Sequence, residues 1–159
     1  MRESFINKNR SLKADLPPVI NPWGGWIEKE QQMGEAFIQA CLFGQTRVVE
    51  FLLDKGVDPG AGANTAQTGF HYAAHSGHLE IVKLLIARKV SMEMKNMYGG
   101  TVLGQAVWSA INEPKADHIS IIEALLDAGA DIEAAGYPTG NQHIDEVLWR
   151  HGAKSGVTD

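Results

Sequence analysis

A single cysteine, Cys41, in 159 residues leaves no intrachain disulfide to form. A chain of this length can bury a sufficient core without one, and sparing cysteine use suits a reducing, intracellular setting. No apolar run approaches the roughly 18 residues that a membrane span needs. The opening MRESFINKNR carries charges but no apolar centre, so no secretory leader is expected. A cytoplasmic location and no membrane partner follow as expectations. Basic residues are also scarce: 14 Lys and Arg against 19 Asp and Glu, for a net charge of −5. A duplex binder needs clustered cations to displace counterions. The only basic bias is Arg2, Lys8, Arg10 and Lys13, opposed by Glu3 and Asp15, so no nucleic-acid partner is expected.

Chemical motifs are missing as well. No serine or cysteine sits in a recognisable nucleophile motif, and no glycine-rich loop could cradle a phosphate. Asp127 and Asp131 form a carboxylate pair, but at the expected exit of a helix, where such groups are solvated. No catalytic constellation and no cofactor site emerges, and the chain reads as a non-enzyme. Hydrophobic residues at 44% and charged residues at 21% describe one folded domain.

What is present is a period. Gly44 and Gly77, Val49 and Val82, Leu52 and Leu85, and Ala40 and Ala73 are each 33 apart, as are Thr68 and Thr101. The stretch QACLFGQTRVVEFLLDKGVD (39–58) aligns with YAAHSGHLEIVKLLIARKVS (72–91). ISIIEALLDAGADIEA (119–134) aligns with LEIVKLLIARKVSMEM (79–94) at an offset of 40, so seven extra residues lie near Ala110–Ala116. A shortened fourth copy, HIDEVLWRHGAK (143–154), keeps only the second half. Phe70, Ala73 and Ala74 make one helical stripe; Leu79, Val82, Leu85 and Ile86 make another. No copy can bury its stripes alone, so stacking must supply the core. Gly56 and Gly129 close the second helix, and Lys89 occupies the equivalent place in copy two.

Thr68, His71, Ala73, Ala74, Gly77, His78, Ile81, Val82, Leu84 and Leu85, with the exit tract GADIEA (129–134), resemble the ankyrin repeat. The variant YGGTVLGQAVW with its insert also looks like small bacterial members of that family. The resemblance implies an all-α solenoid: an N-terminal extension over 1–33, repeats at about 34–63, 64–95 and 96–135, a half-repeat over 136–154, and a tail from 155. It departs from the pattern at Gly69 and Val102, where proline is usual, at Gly104 in place of histidine, and at Glu35 in place of threonine. The last departure predicts a less regular first helix. Ile144, Val147 and Leu148 should face the stack from a lone capping helix. LPPVINPWGG reads as extended, and Trp23 and Trp26 as cover for the end of the first repeat or as a binding arm.

Three histidines fall within TGFHYAAHSGH. The resemblance gives His71 and His78 structural positions and leaves His75 facing solvent, so no metal is expected. His118, His143 and His151 form no spacing motif. Cys41 aligns with Ala74 and reads as a small buried thiol. By resemblance, first helices and projecting turns line a concave surface that binds protein. Leu42, His75 and Trp108 recur at 33-residue intervals just after the small pair, followed by Phe43, Ser76 and Ser109. The turn tips add Asn64, Thr65 and Gln67, then Met97 and Tyr98. Large apolar residues at exposed positions mark binding sites. The alternative is that the insert covers Trp108 and the N-terminal arm covers Leu42 and Phe43. The expected function is a protein-interaction module, a monomer or weak homodimer. A regulatory or inhibitory subunit, or a self-associating scaffold, are the rival readings.

Overall fold

The computed structural model describes residues 19–20, 26–27, 29–60 and 67–154. Seven α-helices follow one another among them: α1 Lys29–Leu42, α2 Thr46–Asp54, α3 Gly69–Ser76, α4 Leu79–Ala87, α5 Val102–Asn112, α6 His118–Asp127 and α7 Gln142–Arg150. The first six form three helix–turn–helix pairs. First helices pack in one row, α1 on α3 and α3 on α5; second helices pack in another, α2 on α4 and α4 on α6. A 3-10 turn, Ile132–Ala135, lies against α5. Ahead of the stack, β1 (Val19–Ile20) pairs antiparallel with β2 (Trp26–Ile27). Trp23 and the side chain of Trp26 lie outside the described residues.

One continuous core runs from Phe37 to Ala153. The small pairs Ala40–Cys41 and Ala73–Ala74, with Ala106 and Val107, are buried where first helices meet. Short side chains there let the backbones approach. Burial pushes the Cys41 thiol up to about 12. On α4, Val82 and Leu85 are fully buried as the stripe requires, whereas Leu79 and Ile86 are only half-buried and Ile81 is fully enclosed. The buried face is therefore rotated toward Ile81, because α4 has a neighbour on each side. Ile144, Val147 and Leu148 are buried on α7, as their spacing requires.

Two departures from the repeat pattern find a physical cause. Gly69 sits where a Cβ would lie 2.6 Å from Phe37 Cε1 and 2.8 Å from Cys41 Sγ. The bulky ring from α1 leaves no room for proline. At Gly104 a Cβ would lie 3.1 Å from the Ala134 carbonyl oxygen, so the 3-10 turn occupies the room that His71 has one repeat earlier. The irregular first helix expected from Glu35 is not found. Lacking a threonine cap to start it, α1 runs unbroken from Lys29 and is 14 residues long against 8 for α3. Glu35 lies inside it, accepting from Gln31 at 3.3 Å. The turn position of Lys89 is left-handed, φ 59°, matching Gly56 at 84° and Gly129 at 94°.

Candidate functional site

The histidines hold the repeats together. Thr68 caps α3: its Oγ accepts from the His71 backbone N–H, while its own backbone N–H and hydroxyl donate to His71 Nδ1, the hydroxyl at 2.9 Å. That leaves His71 Nε2–H to donate to the Gly100 carbonyl at 3.0 Å, in the next turn. Burial is the first cause that lowers the His71 pKa below its ordinary value. His78 Nε2–H donates to the Leu42 carbonyl at 2.9 Å, and His118 Nε2–H donates to the His75 carbonyl at 3.0 Å. His118 is thus the equivalent of His78 one repeat on, as the 40-residue offset between Leu79 and Ile119 already implied, although the histidines by themselves showed no spacing motif. Burial lowers its pKa as well. Among the described residues, no three of His, Cys, Asp or Glu converge in a way that could hold a metal ion.

His75 departs from the expected solvent-facing role. The Ser109 hydroxyl donates to its Nδ1 at 2.9 Å, and Gln105 Nε2 donates to Ser109 Oγ at 3.1 Å. His75 Nε2 then faces Glu113 Oε2 at 3.5 Å. The ring stacks on Trp108, with centroids 6.3 Å apart and an interplanar angle of 27°. The network continues into the second turn: Asn96 Nδ2 donates to Gln105 Oε1 at 3.2 Å, and Asn96 Oδ1 accepts from the backbone N–H of Tyr98 and of Gly100 at 3.0 and 2.8 Å. Every buried side-chain polar atom among the described residues has a partner.

These elements enclose a cleft of about 610 Å³. Its walls are Gln67, Tyr72, His75, Asn96, Tyr98, Gly100, Gly104, Gln105, Trp108 and Ala134. No Asp, Glu, Lys or Arg side chain lines it. Trp108 remains 50% exposed, and Ile111 beyond it is exposed too. The insert therefore does not bury Trp108. It instead lengthens α5 to Asn112, whose Nδ2 donates to the Trp108 carbonyl at 2.8 Å, and then forms an exposed turn over 113–117.

Of the residues expected to meet a partner, Gln67, His75, Tyr98 and Trp108 come together in this cleft. Leu42 is half-buried and Phe43 exposed, one repeat away; Ser76 is half-buried in its turn, and Met97 is exposed at the tip. Ser109 is a correction: it is fully buried and reaches the cleft only by holding His75. Asn64 and Thr65 lie outside the described residues. Tyr72 and Gln105 were missed, although a signal existed. They sit one turn before His75 and Trp108 and are themselves 33 apart. Asn96 carried none, since turns have no helical period to place them.

A model of the ankyrin-repeat family, in three copies, matches residues 37–135. The E3 ubiquitin-protein ligase hecd-1 of Caenorhabditis elegans is 36% identical over 67 residues, which is 42% of this chain and 2% of that protein. A putative ankyrin repeat protein of Acanthamoeba polyphaga mimivirus is 33% identical over 78 residues, 48% of this chain and 19% of that protein. The chain spans a small part of either relative. One is animal and one viral, so the bacterial likeness draws no support from them.

Proposed function

This chain belongs to the ankyrin repeat family, and from that premise we propose that it is a non-enzymatic module that binds a protein partner through its first helices and turn tips, centred on the cleft beside Trp108. Ankyrin repeats are in general protein-interaction modules. The observation that carries the reading is Trp108 itself. A half-exposed indole, stacked on His75, walls a cleft whose other sides are already held by internal hydrogen bonds. Such preorganisation spares the ordering cost that binding otherwise imposes. Tyr98, 80% exposed at the tip, and Tyr72 offer further aromatic area, the kind that dominates interface energetics. Leu42, Phe43, Ser76 and Met97 extend the contact along neighbouring repeats.

The test is capture of partners from the native host, followed by titration of the purified partner against the wild type, Trp108→Ala and Tyr98→Ala. We expect Trp108→Ala to weaken binding by about 2 kcal/mol or more, a hot-spot value. Two variants that bind as tightly as the wild type would sink the reading. Sedimentation of the free protein should show a monomer or a weak dimer, and a tight dimer through Trp108 would favour self-association instead.

A further inference from the structure

Superposing the second helices by register shows one position that changes character along the stack. Val48 on α2, Ile81 on α4, Ile121 on α6 and Ile144 on α7 are equivalent. Ile81 and Ile121 are 0% exposed and Ile144 is 1% exposed, but Val48 is 41% exposed. Three residues on, Phe51 is 58% exposed, while its counterparts Leu84 and Ala124 are half-buried and Val147 is fully buried. The position is enclosed wherever a preceding repeat exists and open only in the first. It marks the backward face of each repeat. At the opposite end the forward face is handled differently: Asp145 on α7 stands where α6 has the buried Ile122, and its carboxylate is tied to Thr139 and Gly140. One turn on, Trp149 is 67% exposed where α6 has the buried Leu126, so the last helix sets a carboxylate beside an open indole, whereas Val48 and Phe51 are both apolar.

We propose that this backward face, centred on Val48 and Phe51, is a docking surface for the chain's own N-terminal segment, residues 1–28. The tether favours that occupant. α1 and α2 run antiparallel through the turn at 43–45, so the segment leaves Lys29 at the same end of the pair as Phe51 and Lys55. β2 ends at Ile27, two residues before α1. Nine extended residues reach about 30 Å, more than twice the length of a nine-residue helix. Attachment that close gives the segment an effective concentration no free partner matches. The segment also carries the apolar side chains such a face requires: Phe5, Ile6, Leu16, Val19, Ile20, Trp23 and Trp26. Lys55 Nζ sits 5.4 Å from the Phe51 ring centroid, covering one side of it and leaving the rest available.

The experiment places a nitroxide at Lys55→Cys in the full chain. Cys41 is buried and its thiol stays protonated, so the label goes to the new site. The indole signals of Trp23 and Trp26 should broaden strongly and recover on Phe51→Asp. A mixture of spin-labelled chain with separately isotope-labelled chain should show no broadening. Unaffected indoles would overturn the proposal. So would broadening that survives Phe51→Asp, which is mere proximity along the tether, or broadening in the mixture, which would assign the face to a second copy.

Discussion

Lys89 turns the chain at φ 59°, where a side chain crowds its own carbonyl and glycine does not. Lys89→Gly removes that crowding but loosens the unfolded chain, so the net gain should be roughly 0.5–1 kcal/mol. The thermal midpoint should rise by about 1–4 °C for a chain of this size. Lys89→Ala keeps the Cβ and should move it little. Equal shifts in both variants would assign the effect to the lysine charge and not to the backbone. Trp108 gives a second residue-scale prediction. Half its surface is already wet, so Trp108→Ala should cost about 1 kcal/mol, short of the roughly 3–5 kcal/mol of a buried aromatic truncation. A circular-dichroism melt showing the larger loss would mean that the indole belongs to the core. Lys89 and Cys41 were legible in the sequence because alignment within the repeat fixes a residue's place. His75 was not. Its placement depends on Ser109 and Glu113, and the length of α5 that brings them near was hidden by the insert.

Among the helices, protonation is the lever that reaches several at once. His71 on α3 and His118 on α6 have pKa values lowered from 6.5 by burial, so the fold holds them neutral. Above about pH 6.5 both folded and unfolded rings are neutral and this contribution is complete. As pH falls below that value the unfolded chain takes up protons first, and stability is lost down to the folded values. His151, just after α7, works the other way. Its Nδ1–H donates to the Val147 carbonyl at 2.8 Å and its Nε2–H to Asp127 at 3.0 Å. Only the imidazolium can donate from both nitrogens, and the backbone bond to Val147 leads the causes that raise its pKa. Its stabilisation is present below pH 6.5 and is lost as pH rises through the higher folded value. The midpoint should therefore fall between pH 7.5 and 5.5, and fall more steeply in His151→Asn. Calorimetry that finds the same slope in the variant would remove His151 from the account. The paired helices and their glycine closures could be read from the 33-residue spacing. The start of α1 could not, because it lies before the period begins and no capping residue announces it.

At the scale of the whole stack, each repeat is braced by its neighbours, so the ends should open before the middle. Hydrogen exchange should find the slowest amides in α3 to α6 and faster exchange in α2 and α7. Uniform protection from α1 to α7 would mean one cooperative unit with no loose end. The architecture was legible because stacked copies repeat their own evidence. The cleft was not, since one of its walls is a turn held by Asn96, whose role shows only when Gly100, Tyr98 and Gln105 are brought to it. The five exposed residues from Glu113 to Asp117 have a wider consequence. Chain length was added there without breaking the bond from His118 to the His75 carbonyl, so the stack keeps its register whatever the turn contains. Glu113, in that turn, lies 3.5 Å from His75, which walls the cleft. On the proposed reading of the cleft as a binding site, variation confined to 113–117 would reshape what it recognises while leaving the core alone, which makes the insertion a natural place for new specificity to arise by selection, or to be grafted by design.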